Sequence, residues 1–449
     1  MRDAGAYRLP GFPYLRADRF LASFRDTASR DQQAFNAWVG HLRALDAGAR
    51  DYELKNLPQQ AFPVLDASDR EAARSETRAC AARLASEDLE SAERRSLLLA
   101  NAKVPDDYVD WKRHFGLYPI TRILFMKGVE ASEAETMAAF KQARMNGAAE
   151  SRFESYHFST SPPSADRIAA IFSQLKTDAL GIPRLDAKDR DTLFQAYAPR
   201  FEVETTGRFD RFGPLIRNGN STPEVDVSRP LVYARLAFTR YHGQSLLQLV
   251  YTTWFPERPA DGAFDTLAGK LDGVVLRVTL DTDGTPLVYD SIHPCGCYHM
   301  FFPTARMKPL PAPESGIEWA FVPVTLPAMD RGQRIVVRIA SRTHYVVDVH
   351  ADAGESAAIP YLLAEDDELR AIADAGGITR SAFGPDGIVA GTERSERLLY
   401  WSMGIDNPGA MRQWGRHATA FVGRRHFDDA DLIELRFEMS DRSRARPAR

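Results

Sequence analysis

Val274-Val275-Leu276-Arg277-Val278-Thr279-Leu280-Asp281-Thr282-Asp283-Gly284-Thr285-Pro286-Leu287-Val288-Tyr289-Asp290-Ser291-Ile292-His293 is the stretch that decides the fold. Two runs rich in β-branched and aromatic residues flank Asp281-Thr282-Asp283-Gly284, and that tetrapeptide fits a short hairpin loop. Four more runs of the same kind surround them: Leu231–Phe238, Leu246–Phe255, Ile335–Ala340 and Thr343–His350, the last two joined at Ser341-Arg342. Hairpins rather than crossover helices connect them, which predicts a mostly antiparallel sheet or flattened barrel.

Upstream of Phe201 the period is helical. Arg16–Leu45 places Phe20, Leu21, Phe24, Phe35, Trp38, Val39 and Leu42 on one side. Ser68-Asp69-Arg70-Glu71 and Ser132-Glu133-Ala134-Glu135 are capping-box patterns, the second opening a helix to Arg144. Ser164 and Asp189 begin two further helices, and Leu89–Ala100 reads as another. Cys80, between alanines, reads as a small thiol buried between helices. Downstream, Glu365–Ala375 predicts a short helix stopped by Gly376-Gly377, and Asn407-Pro408 opens a helix to about Val422. The expected class is therefore α+β, with a boundary between Pro199 and Val227. Residues 1–200 form a helical N-terminal region, 201–359 a central antiparallel β-sheet domain, and 360–449 a mixed α/β segment ending in a basic tail.

A chain of 449 residues with 44% hydrophobic and 26% charged residues is ordinary for a globular protein of two or three packed units. The net charge of −4 gives no reason to expect nucleic-acid binding. No run approaches the roughly 18–20 apolar residues of a membrane span. Met1–Arg16 lacks the apolar core of a signal peptide, so the chain as written reads as cytoplasmic, or as periplasmic or envelope-bound if a leader has been removed. Three cysteines exclude a disulfide-stapled scaffold.

The chemistry concentrates in His293-Pro294-Cys295-Gly296-Cys297-Tyr298-His299, which holds two of the ten histidines and two of the three cysteines. His293, Cys295, Cys297 and His299 alternate. In a straight strand they would share a face but span roughly 20 Å, too far for one ion. Pro294 and Gly296 allow the chain to fold back and gather some of them. Thiolate and imidazole donors suit zinc, with copper(I) as the softer alternative. His344 is the candidate for a further ligand from the 343–350 strand. Two other readings stand beside the metal site. Cys295 and Cys297 can act as a redox dithiol or a disulfide clip, or the four side chains can be packed thiols and hydrogen-bonded imidazoles.

In a metal-dependent hydrolase the base would be Glu257, held with Arg258 between prolines, or Asp348 on the face shared with His344 and His350. His-Glu-x-x-His, Gly-x-Ser-x-Gly, P-loop and Gly-x-Gly-x-x-Gly patterns are absent. Pro10-Gly11-Phe12-Pro13-Tyr14-Leu15-Arg16, Arg19-Phe20-Leu21-Ala22-Ser23-Phe24 and the His293–His299 block resemble uncharacterised bacterial envelope proteins. That resemblance implies export and supplies no activity or catalytic residue.

Overall fold

The computed structural model describes residues 2–57, 67–146, 153–219, 221–262, 264–314, 316–354 and 358–440; for 67–69 and 146 the backbone alone is described. Its centre is a ten-stranded sheet. In chain order the strands are β1 (Phe153–Phe158), β2 (Arg200–Glu204), β3 (Leu231–Tyr241), β4 (Gln244–Arg258), β5 (Gly269–Leu280), β6 (Pro286–Ile292), β7 (Met300–Pro303), β8 (Ile335–Ile339), β9 (Val346–Ala351) and β10 (Ile359–Glu365). Their spatial order is β7-β6-β5-β4-β3-β10-β1-β2-β8-β9. Strands β3 to β7 form the antiparallel meander that the hairpin signals predict. The other half is mixed: β10 runs parallel to both β3 and β1, and β8 runs parallel to β2.

With its helical N-terminal region, the chain is α+β. The β5–β6 hairpin closes where expected: Gly284 donates to the Asp281 carbonyl at 2.9 Å, at a φ of +86° that suits glycine. Strands β4, β5 and β6 are buried on almost every residue rather than on alternate ones. Both faces are covered. Leu249, Tyr251, Val274, Leu276 and Tyr289 point into a large core shared with Val337, Ile339 and Val349 of the far half. Val250, Val275 and Ile292 pack instead with Phe427 from the C-terminal segment. The two halves of the sheet thus curl around one core, which brings the β8–β9 turn against β4 and β5.

The N-terminal region opens on a small hairpin, Tyr7–Leu9 with Phe12–Ala17, before its helices. Helix Gln32–Lys55 is capped by Asp31 and buries Trp38 and Leu42 against that hairpin and the short helix Arg19–Ala22. Phe20 stacks on Phe238 of β3 at 5.3 Å, joining this region to the sheet. Helix Ala165–Gln174 forms behind the predicted cap Ser164, whereas the second helix, Ala187–Tyr197, starts before Asp189 and is capped by Asp186.

Several local expectations are corrected. Ser132 caps nothing, because one helix runs without a break from Tyr118 to Asn146. The Ser68 capping box lies outside the described side chains, as the basic tail beyond 440 lies outside the described residues. Cys80 is exposed, not buried. Residues 365–375 hold only a single 3-10 segment, Asp366–Arg370, followed by a two-residue strand. The helix from Asn407 to Val422 does not form. Gly409 and Gly415 take φ of +83° and +84°, and each breaks the helical path. Ala410, Met411, Ala418 and Val422 are nonetheless buried, so their burial serves an irregular segment that covers the sheet.

Candidate active site

Between β6 and β7 the chain folds back as Pro294 and Gly296 predict. Gly296 N–H donates to the His293 carbonyl at 2.8 Å, and His293 N–H donates to the Cys297 carbonyl at 3.0 Å. Gly296 sits at φ +92° with the Ala418 carbonyl so close that an added Cβ would lie 2.5 Å from its oxygen. Arg412 N–H donates to the Pro294 carbonyl, so the C-terminal segment clasps the turn from outside.

The turn does not gather its four ligand-type side chains at one point. His299 faces the sheet interior, where its Nε2 lies 3.0 Å from Asp290 Oδ2. That carboxylate also receives Arg277 Nε at 2.9 Å and Nη2 at 2.5 Å, across the β5–β6 register in which Arg277 and Asp290 are direct partners. His293 faces the opposite way and donates from Nδ1 to Asp272 Oδ1 at 3.0 Å. Cys295 and Cys297 are free thiols. The Cys295 sulfur receives the Cys297 N–H at 3.4 Å and packs with Trp254, Leu271 and Met411. The neighbouring Cys295 sulfur, with burial, pushes the Cys297 thiol well up, so it stays protonated at neutral pH. Among the described residues, no group of three or more His, Cys, Asp or Glu side chains is placed to hold a metal ion.

His344 does reach the site, though not from a strand face. It lies in the turn before β9 at φ +53° and stacks on Phe255 at 4.0 Å. Its Nδ1 meets Asp272 Oδ2 at 2.9 Å, while its Nε2 faces the Phe209 carbonyl at 3.2 Å and Asp210 Oδ1 at 3.5 Å. Burial disfavours the charged imidazole, but the hydrogen bonds to Asp210 and Asp272 outweigh it and raise the His344 pKa. Asp272 is likewise held well below the carboxylate range, as the two histidines overcome its burial. One fully buried carboxylate therefore orients two imidazoles, and His293 Nε2 is left buried with no partner.

Over His293 lie two aromatic rings, Tyr298 at 5.0 Å and Tyr345 at 5.8 Å. Arg258 donates to the Tyr345 hydroxyl at 3.1 Å, and that hydroxyl donates to Tyr298 at 2.7 Å. Burial raises the pKa of both phenols, so both remain protonated donors at neutral pH. Tyr298 itself holds φ +59°, and Arg342 holds +65°. With His344 and Leu271, the latter at φ +55° beside Asp272, four non-glycine residues in the left-handed region thus cluster here, a form of strain that recurs at functional sites. Glu396 completes the surroundings. Burial pushes its carboxyl up to about 7, against the pull of Arg394 and Arg258.

The two carboxylates expected as bases are placed elsewhere. Glu257 is exposed on β4 opposite Lys270, because strand alternation turns it outward and Arg258 inward. Asp348 accepts from Arg144 at 3.2 Å, pairs with His350 at 3.0 Å and lies opposite Arg338. The sequence reading missed Asp272, Asp210, Tyr298, Tyr345 and Glu396. One signal was available: Asp272 interrupts an apolar strand, and a charge there must be paired. Asp210, Tyr345 and Glu396 come from distant turns, and no local pattern marks them.

Two buried histidines tie this region to pH. Burial lowers His299 from 6.5 to about 3 and His417, which packs beside Pro294, from 6.5 to about 4. Both are neutral in the folded state, whereas the unfolded chain takes up protons near 6.5. The contribution of these two groups to stability is therefore expected to fall as pH drops from about 6.5 towards 4, while that of Glu396, protonated in the folded state below about 7, rises. Urea denaturation of wild type and His417→Phe across that range checks it, and an identical pH dependence of the two midpoints would contradict it.

No family model matches the chain, and neither a curated protein nor a solved structure matches it.

Proposed function

We propose that this chain is a hydrolase with an acid–base centre at the His293 turn. The observation that carries the reading is the bare Nε2 of His293, buried beside two tyrosines while Asp272 fixes the other ring nitrogen. A carboxylate that accepts the Nδ1 proton leaves a lone pair on Nε2, the form a general base requires. A water at that nitrogen gives its proton to His293 as its oxygen attacks the substrate. The Tyr298 hydroxyl, polarised through Tyr345 by Arg258, donates to the oxygen that gains charge. Glu396, with a carboxyl titrating at about 7, returns a proton to the leaving group.

The test is turnover of a panel of activated carboxylic esters, amides and phosphate esters. His293→Asn is expected to lower the rate by about 10²–10⁴-fold, and Tyr298→Phe by about 10²-fold or more. The exposed control His242→Asn leaves it unchanged. Equal rates in wild type and His293→Asn, or no turnover of any panel member, would count against the proposal.

The metal reading keeps one observation in its favour. A histidine oriented through Nδ1 by a carboxylate presents Nε2 as metal ligands do, with Cys295 and Cys297 in the same turn. Metal analysis of protein purified without an affinity tag decides between the two. Stoichiometric zinc or copper, lost in Cys295→Ser/Cys297→Ser, would replace the metal-free mechanism.

A further inference from the structure

Between the outer face of the sheet and the C-terminal segment that covers it lies a cavity of about 20 Å³, room for a single water-sized particle. Val250, Thr252 and Trp254 of β4 line it from the sheet, Pro294 from the His293 turn, and Arg412 and His417 from the covering segment. Two donors here have nothing to donate to. Trp254 is 2% exposed and Arg412 5%, yet neither the indole Nε1 nor the Arg412 Nε has a hydrogen-bond partner. His417 lies against the Pro294 and Arg412 carbonyls, and neither of its ring nitrogens closes a hydrogen bond. Buried donors are nearly always paired, so orphaned donors around one small cavity call for an occupant that accepts.

Charge leads to the same place. The Arg412 guanidinium donates from Nη2 to two backbone carbonyls, those of Asp406 and Asn407, and no carboxylate among the described residues pairs with it. Burial pulls its pKa down, and the attraction of Asp107 does not offset that. Arg235 and Asp366 also reach the cavity, but they are turned on each other at 2.8 Å, and Asp367 meets the same guanidinium. The Cys297 thiol is held protonated and supplies no counter-charge. A buried guanidinium without a counter-charge is costly, and the fold here leaves a space beside it.

We propose that this cavity binds a monoatomic anion, chloride, which accepts from Trp254 Nε1 and Arg412 Nε and balances the Arg412 charge. A polyatomic oxyanion is too large for the space. A water accepts both hydrogen bonds but leaves the guanidinium charge unmatched, whereas a halide answers both needs. The ion joins elements that the turn depends on. Arg412 N–H donates to the Pro294 carbonyl at 2.9 Å, and Trp254 packs with Cys295. The site therefore fastens the covering segment to the His293 turn, and it does not rest on the hydrolase reading.

Thermal denaturation of the full chain at fixed pH and fixed sodium concentration tests it, with chloride exchanged for gluconate, which does not fit the cavity. The midpoint is expected to rise by several degrees as chloride replaces gluconate, because the ion binds the folded state alone. Trp254→Phe removes the N–H and should need about tenfold or more chloride for the same rise. Wild-type crystals soaked in sodium bromide should show an anomalous difference peak within hydrogen-bond reach of Trp254 Nε1 and Arg412 Nε. Equal midpoints in chloride and gluconate, or a rise that Trp254→Phe leaves unchanged, overturn the proposal. So does a water at that position with no bromide peak, and a peak without any shift in midpoint marks an adventitious ion only.

Discussion

Asp290→Ala is expected to destabilise the fold by ~3–5 kcal/mol, the usual cost of removing one partner from a buried ion pair. The Asp290 carboxylate is wholly buried and accepts two guanidinium nitrogens of Arg277, which is 1% exposed. It also anchors His299 through Nε2. Without it, the Arg277 charge keeps only the Phe427 carbonyl and the face of the Phe427 ring, 3.8 Å from the guanidinium carbon. Desolvation of an unpaired guanidinium is then uncompensated. Arg277→Met/Asp290→Leu, which removes both charges and fills the space, is expected to recover most of the loss. Urea denaturation of the three proteins at equal m-values gives the comparison. A single variant within about 1 kcal/mol of wild type would mean that water reaches the pair.

Gly296→Ala is the second large effect, at ~2–5 kcal/mol. A side chain held at left-handed φ costs about 1–2 kcal/mol. Here it also meets the Ala418 backbone, whose oxygen would lie 2.5 Å from the new Cβ, and overpacking of that kind costs about 1–3 kcal/mol. Backbone cannot rotate aside as a long side chain does. The turn or the 411–418 clasp must shift, and both position His293 and Cys295. A lowered denaturation midpoint is therefore expected together with lost activity and greater thiol accessibility at Cys297. By contrast Gly128→Ala, in an open helical position, is expected to be neutral or slightly stabilising. Equal midpoints for wild type and Gly296→Ala would show that the clasp gives way at little cost.

The sheet was legible because its signals are local. Val274–Ile292 carries both strand composition and turn chemistry, and the Asp281–Gly284 loop needs nothing distant to form. The helix at Ser164 was legible for the same reason, a cap within three residues of the N–H it serves, while the next helix was placed three residues late, at Asp189 rather than at its cap Asp186. The false helix at Asn407–Val422 shows where this stops. Its apolar residues are buried as an irregular strap turned at Gly409 and Gly415: Trp414 packs against the outer face of β4–β6, and Ala418 and Phe421 pack with Tyr108 and Ile405.

The sequence by itself determined the class and the meander, because hairpin pairing and helix capping act over a few residues. It also pointed to a turn at His293–His299, where Pro294 cannot continue a central strand and Gly296 permits a positive φ. Which side chains then meet was decided only by tertiary structure. Strand direction out of the turn sends His293 and His299 to opposite carboxylates, Asp272 and Asp290. Curling of the sheet brings His344 and Tyr345 to Asp272, Arg258 and Tyr298. A buried charge is satisfied by whatever the fold carries to it, and Arg258 and Tyr345, for example, lie 87 residues apart in the chain.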